Sequence, residues 1–538
     1  RKKGKIDIDF SANLTVFENR NVDYGDNFYM NAAQQVEAEK KYYEYYFFNN
    51  NGEVGDPISN TATQINAGHM GVSPVKYGYY QLATGEITRD ELDTRLNALK
   101  KNNFARDYAD DIYRRQIVQQ YNLALRSSSD KAHHNVTVNY KNDNSGIINH
   151  STDYFNLSYK GSFDLAKWLT ATVSFNGIYS DRKEAGSDLT ANFTNIWALP
   201  AYTPYYNADG SRRTQYYTYS GNEYWDGKGQ DGFHELGVII PDEFRNNTRR
   251  TKRNHMRYHA DLLFRVIDGL TINTQFLYEM ENHNASWHAN EKSHASRTIR
   301  NAYTVSDDYG DISYMTPKSG GMLQTVNTDG RYWTARGQAN YSKRFFDKHE
   351  IAAIAGLEFR ETKVNGTKSL VLGYDEQLQS SATNTVDFNT LQNFRTNPYY
   401  MPLVGGFPAA GAAWAYIGDG LGIIVEERHR YASGYANATY TYDDRYNVFG
   451  SFRKDYADVY GLNAKFRGKP LWSVGAGWNA HNEQFMHDLT WISFLKLRMS
   501  YGATGNIYQG ATSYMTAEST NINDYTGLPI GTIVSPAT

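Results

Sequence analysis

Apolar and polar side chains alternate along many stretches of this chain. Ile6, Ile8, Phe10, Ala12, Leu14 and Val16 share one face, against Asp7, Asp9, Ser11, Asn13 and Thr15. The same period of two recurs in pairs of runs joined by tight, charged turns. Phe155, Leu157, Tyr159, Gly161 and Phe163 pair with Leu169, Ala171, Val173 and Phe175 across 164–167. Tyr258, Ala260, Leu262, Phe264 and Val266 pair with Leu270, Ile272, Thr274, Phe276 and Tyr278 across Asp268 and Gly269. Trp333, Ala335, Gly337, Ala339 and Tyr341 pair with Ile351, Ala353, Ala355, Leu357 and Phe359 across Asp347 and Lys348. Gly434, Ala436, Ala438, Tyr440 and Tyr442 face Tyr446, Val448, Gly450 and Phe452 across 443–445, and Trp472, Val474, Ala476 and Trp478 precede Leu495, Leu497, Met499 and Tyr501. A period of two with one polar face predicts antiparallel strands.

Strand length and loop asymmetry narrow the class. The runs last about 10 to 12 residues, against about 5 to 6 for an ordinary strand and about 9 to 11 for a membrane-crossing one. Within hairpins the turns are short, whereas the links 179–254, 282–330 and 362–430 are very long. Short turns on one rim and long loops on the other are the anatomy of a transmembrane barrel. A soluble sandwich has turns every 8–12 residues and few such links, and the irregular spacing does not fit propeller blades. Arg265, Gln275, Arg336, Gln338, Glu358, Arg360, Lys496 and Arg498 fall on the opposite face, as a wet lumen requires, although a solvated sandwich face also admits them. The predicted fold is all-β: about 12–13 strands of a transmembrane antiparallel barrel.

Composition agrees. The 538 residues include 45 tyrosines, an amphipathic ring suited to strands, binding surfaces and membrane-interface girdles. Mean hydropathy is −0.67 and no long apolar run occurs, which excludes transmembrane helices and leaves a barrel open. The charge is balanced, 55 basic against 58 acidic residues, giving no electrostatic case for nucleic acid. There is no cysteine, hence no disulfide or thiolate chemistry. RKKGKIDIDF is basic but lacks an apolar core, so it is not a signal peptide, and both ends read as cut.

Several motifs resemble the SusC/RagA family of TonB-dependent outer-membrane transporters. NVFGSFRKD, PLWSVGAGW, NEQFM and WISFLKLRMSYGATGN follow in order, with Trp491, 495–498, 500–502 and 504–506 matching most closely. HHNVTV at 133–138, the hairpin GIINHSTDYFNLSYKGSFDLAKWLTATVSFNG, YNADGS at 206–211 and FDKHEIAAIAGLE at 346–358 agree, and RKKGKIDIDFSANL is similar to the junction of plug and first barrel strand. The resemblance is weakest over 18–130.

The resemblance divides the chain into a plug-to-barrel junction and first strand (1–17), a long first loop region (18–133) and strands with loops (134–538). It implies about 22 strands in the whole barrel and a plug, TonB box and signal peptide before Arg1. A SusD-like surface lipoprotein would serve as lid, TonB would act through the plug, and the cargo would be oligosaccharide or oligopeptide. The implied location is the outer membrane of a Gram-negative bacterium, and the implied role is transport without catalysis. The competing class is a secreted, soluble β-rich protein that binds or degrades glycan. Strand parity leaves one strand unaccounted for before 164. Either a strand hides in 18–133 or chain is missing near Asn139; the second is the expectation, because the family carries a further hairpin there.

Catalytic signatures are lacking: there is no G-x-S-x-G, H-E-x-x-H or Walker loop. Asp107, Asp110 and Asp111 form a carboxylate cluster for which calcium is one reading and a solvated loop the simpler one; no cofactor is expected. Loop aromatics are the substrate-binding candidates: Tyr216, Tyr217, Tyr219 and Trp225, then Tyr399, Tyr400, Trp414 and Tyr416. Such rings stack on sugars or hold apolar peptide side chains, but they also pack loop on loop. The helical stretch 31–48 reads as structural. Tyr440, Tyr442 and Tyr446 crowd a tight turn and are expected to form a membrane girdle, with Ala436, Ala438, Val448, Gly450 and Phe452 against lipid.

Overall fold

The computed structural model describes residues 6–22, 28–66, 72–186, 193–217, 233–306, 311–396, 417–418, 420–458, 470–486, 488–489, 491–505, 516–522 and 529–534. Alternation along the chain produces one 13-stranded antiparallel sheet in which successive strands are neighbours. It comprises β1 (Ile6–Val16), β2 (Ile117–Ser128), β3 (Ala132–Asp143), β4 (Ser151–Ala166), β5 (Leu169–Ala185), β6 (Asn247–Ile267) and β7 (Leu270–Ala289). After a small loop hairpin, β8 (Thr304–Ser306) and β9 (Ile312–Tyr314), it continues as β10 (Gly321–Phe345), β11 (His349–Tyr374), β12 (Ile423–Tyr442), β13 (Tyr446–Ala457), β14 (Pro470–Trp478) and β15 (Leu497–Ala503). Every hairpin expected from the sequence forms.

The register carries each apolar run onto the same face. Phe276 faces Ala335, which faces Phe359, which faces Ala432. Closer to the short turns, Ile351, Tyr440 and Val448 stand in one row. Within the sheet, Phe276, Leu357, Phe359, Val448 and Phe452 are 48–59% exposed. A belt of large apolar side chains this extensive marks a surface covered by membrane or by a partner. On β6 it runs from Met256 to Val266, ten residues apart, so about 33 Å along the strand and roughly 25 Å at a tilt near 40°.

The short turns follow from their aspartates. Asp443 and Asp444 have φ of 53° and 54°, and Arg445 N–H donates to Tyr442 C=O at 3.0 Å. Two successive left-handed residues give a turn matching the strand twist, and Asp tolerates that region better than branched residues. Phe346 and Asp347, at 49° and 59°, repeat the device between β10 and β11. Arg344 ties the two turns together, donating to Asp444 at 2.6 and 3.0 Å and to Glu350 at 2.7 Å.

Two expectations are corrected. Strand β2 lies inside the region read as loop and supplies the missing parity, pairing with β1 on one side and β3 on the other. No extra hairpin near Asn139 is needed. Its sequence, IVQQYNLALRSS, alternates weakly because Gln119 shares the face of Tyr121 and Leu123. The strands are also longer than the alternation suggests: 21 and 20 residues for β6 and β7, 25 and 26 for β10 and β11. They extend well into the segments read as links.

The long connections fold into a layer at one rim. Helices α1 (Ala32–Glu44), α2 (Pro57–Asn66), α3 (Pro74–Thr84), α4 (Arg89–Leu99) and α5 (Phe104–Ile112) fill the β1–β2 connection. Capping boxes at Asn31/Gln34 and Thr88/Glu91 start α1 and α4, and Ser73 with Pro74 starts α3. Val36, Val75, Tyr79, Leu92, Leu96 and Tyr202 form their core. Two further cores lie around α5 with α6 (Ile240–Asn246), and around α7 (His294–Ala302) with α8 (Phe388–Thr396).

Candidate functional site

The face opposite the apolar belt is predominantly polar. Arg336 Nε donates to Tyr435 Oη at 2.7 Å, and Tyr435 Oη donates to Gln338 Oε1 at 2.7 Å. Glu358 lies 3.8 Å from Arg336. Arg453 donates to Asp455 at 2.8 Å and to Ser433 Oγ at 3.2 Å. Space for the Tyr435 ring comes from Gly356, where a Cβ would sit 2.5 Å from Cζ and Oη of that ring. Nearer the loop rim, Glu279 takes hydrogen bonds from Arg257 at 3.1 Å and His255 at 3.2 Å, and Arg253 pairs with Glu281 at 2.5 Å. His429 lies between Glu427 (2.7 Å) and Asp458 (3.3 Å). Partial burial pulls its pKa down, but the two carboxylates outweigh that and hold it above the usual histidine value. Of the residues assigned to this face from sequence, Arg265 also finds a partner, donating to Thr170 Oγ1 at 2.9 Å.

The loop layer is held by polar ties across long sequence separations. Tyr202 Oη donates to Glu39 at 2.7 Å and Ala201 N–H to Gln35 at 2.9 Å, docking α1 onto the β5–β6 connection. Asp111, 8% exposed, accepts from Arg212 Nε at 2.6 Å, from Arg212 Nη2 at 2.7 Å and from Tyr205 Oη at 2.8 Å. Burial alone would raise its pKa; these hydrogen bonds bring it below the ordinary aspartate value. The carboxylate that sequence grouped with Asp107 and Asp110 is thus directed to a guanidinium. Asn301 Nδ2 donates to His234 C=O at 2.6 Å and Arg300 Nη2 to Gly320 C=O at 2.8 Å, locking α7 to its neighbours. A polar cavity of about 1200 Å³ opens among His234, Glu243, His288, Arg297, Tyr374 and Glu376.

Of the loop aromatics, Tyr216 is half-buried and its hydroxyl donates to Glu235. Tyr217, only 6% exposed, packs in the core around α5 and α6, the loop-on-loop role left open beside binding. Tyr219, Trp225, Tyr399, Tyr400, Trp414 and Tyr416 lie outside the described residues. Tyr440, Tyr442 and Tyr446 stand at the short-turn end of the apolar face. His349 Nδ1 and Tyr440 Oη are 2.7 Å apart, and Tyr446 Oη donates to Glu483 at 2.5 Å. The polar partners around Glu483, which also accepts from Trp478 Nε1 at 2.9 Å and Arg445 at 3.0 Å, were not foreseen from sequence. Glu483 itself lies in the β14–β15 connection, which has no alternation to read.

No helix among the described residues is long and apolar enough to cross a membrane. No protein-family model matches the chain. Two curated proteins of Formosa agariphila are similar to it. TonB-dependent receptor P39 is 24% identical over 405 residues, covering 74% of this chain and 32% of that protein. TonB-dependent receptor P3 is 21% identical over 431 residues, covering 78% and 36%. The chain therefore spans about a third of the length of these relatives. Among solved structures, the RagAB peptide transporter superposes with a TM-score of 0.64 at 16% identity, covering 99% of this chain and 51% of that one. A one-sided apolar sheet, short turns opposite a folded loop rim, the ordered motifs and these likenesses agree: the chain has the fold of a TonB-dependent transporter barrel and is similar in sequence to TonB-dependent receptors.

Proposed function

We propose that this chain forms barrel wall in an outer-membrane importer of oligomeric nutrient in a Gram-negative bacterium. The carrying observation is the two-faced sheet: an apolar belt on one side and clusters of hydrogen-bonded Arg, Glu, Gln, Tyr and Asp on the other. A lumen lined this way offers passing cargo many donors and acceptors, with only scattered apolar side chains such as Leu263, Ile354 and Phe449. The folded loop rim is the seat for a SusD-like lipoprotein lid. TonB supplies the energy through a plug domain, and the chain moves its cargo without making or breaking a bond.

Cargo is captured between lid and rim, with Tyr216, Tyr219, Trp225, Tyr399, Tyr400, Trp414 and Tyr416 as contact candidates, while Tyr217, also a candidate from sequence, packs in the core around α5 and α6. Their aromatic and polar neighbourhood favours oligosaccharide. Oligopeptide is the second reading, favoured by the likeness to a structure described as a peptide transporter. Tyr440, Tyr442 and Tyr446 form the periplasmic girdle. Calorimetry of the intact transporter with its lid against glycan and peptide libraries tests the proposal. Saturable binding of one class supports import of that class, and binding of neither counts against the assigned cargo.

A further inference from the structure

Above the apolar belt, the outer wall carries a row of like charges. Arg331 on β10 faces Lys363 on β11, which faces Arg428 on β12. Alternation puts all three on the belt face: Tyr332, next to Arg331, is surrounded by inner-wall Glu279, Glu281, Arg253 and Arg360. Neighbouring strands lie about 4.8 Å apart, so the row compresses three cations into roughly 10 Å. Directly opposed like charges destabilise a sheet. The rung below reads Trp333, Glu361, Arg430.

Local carboxylates answer part of this charge. Arg430 pairs with Glu361 at 2.5 Å and Lys363 with Glu426 at 3.2 Å. Asp329, on the same face, accepts from the Asn282 amide. Arg331 and Arg428 are exposed, and neither has an ion-pair partner within 4 Å among the described residues. Glu361 also feels the charge of Arg428, but neither Arg331 nor Arg428 is engaged in a close ion pair, and both stand at the upper edge of a lipid-facing belt, at headgroup height.

A second observation lies on the same strands. Below the cations the outward residues of β10 and β12 are small, Ala335 and Gly337 on one and Ala432 and Gly434 on the other, and they flank a ridge of Phe359 and Leu357 on β11. A Cβ at Gly337 would meet nothing within 4 Å. Farther down, the wall is hollowed into an apolar groove of about 480 Å³ lined by Ala339, Ala355, Ala436, Gly450 and Phe452. Cations above, small residues on either side of the Phe359–Leu357 ridge and the groove farther down match a headgroup and its acyl chains.

We propose that β10–β12 form a seat for one phosphorylated, acylated glycolipid of the outer leaflet, with its phosphate held by Arg331 and Arg428 and a chain in the groove. This goes beyond the import reading and rests only on the sheet facing lipid. The test is native mass spectrometry of the intact transporter in phospholipid nanodiscs containing lipid A, a phosphorylated acylated disaccharide, or its dephosphorylated form. Phosphorylated lipid A is expected to be retained about ten-fold more strongly. R331Q/R428Q abolishes that preference, while K183Q, an outer-wall cation outside the row, keeps it. A436L, which fills the groove, weakens retention with the phosphate preference intact. Equal retention of the two lipids, or unchanged preference in R331Q/R428Q, overturns the seat. Reconstitution into the bilayer is read separately, so its failure would count against the membrane reading and not against this site.

Discussion

Ala355 and Ile354 are adjacent on β11, and the two-faced sheet gives them opposite surroundings. Ala355 is exposed on the apolar face between Ala339 and Ala436, whereas Ile354 is paired with Asn340 and Asn437 on the polar one. The apolar run of β11 extends from Ile351 to Phe359, so Ala355 lies four residues from either end. That is about 13 Å along the strand and roughly 10 Å in depth at a tilt near 40°. An arginine near the midplane costs about 2–4 kcal/mol, falling to about 0–1 kcal/mol at the interface. Ala355→Arg should therefore cost about 2–4 kcal/mol, and Ile354→Arg, reaching water in the lumen, under about 1 kcal/mol. Denaturant titration of the intact chain refolding into lipid vesicles, read by heat-modifiable gel mobility, measures both. Equal costs, or a larger cost at Ile354, would refute the assignment of faces.

Other consequences can be checked alongside it. Gly356→Ala drives a methyl into the Tyr435 ring and to 2.9 Å from Gly337 C=O, so it should lower stability by about 1–3 kcal/mol, with partial rescue by Tyr435→Ala in the double variant. Asp443→Gly and Asp443→Val both lose the ion pair with Arg445, and Asp443→Val should cost about 1–2 kcal/mol more than Asp443→Gly on thermal melting, because its φ is 53°. Asp111 has a lowered folded pKa, so its stabilisation is complete above the unfolded value and disappears as pH falls through the folded one. Amide exchange in 104–112 and 205–213 should stay protected from neutral pH down to the ordinary aspartate value of 3.8 and rise only below it; D111N should loosen the same segments at pH 7 by about 1–3 kcal/mol.

Legibility in the sequence follows the solvent. Where one face meets an apolar phase and the other water, alternation is strict, and hairpins such as 258–278 and 434–452 were readable residue by residue. Above the belt both faces of β6, β7, β10 and β11 are wet, so TRRTKRN and NTDGRY lose the period while the backbone ladder continues. Strand β2 was hidden for the same reason: Gln119 interrupts its apolar face. The loop layer was less legible still. Its ties, such as Arg212 to Asp111 and Tyr202 to Glu39, join residues about 100 to 160 positions apart and leave no local pattern. Ring type alone nominated Tyr217 for binding, but ring type does not report burial.

The central claim is that β11 has lipid on one side and water on the other. The 538 residues contain no cysteine, so single cysteines can be introduced from 351 to 360 and spin-labelled in the reconstituted protein. Collision accessibility to oxygen and to a water-soluble nickel chelate should alternate with a period of two. Odd positions should be oxygen-rich with a maximum near Ala355, and even positions nickel-rich. A flat profile, or nickel access at 353, 355 and 357 equal to that at 354, 356 and 358, would contradict it.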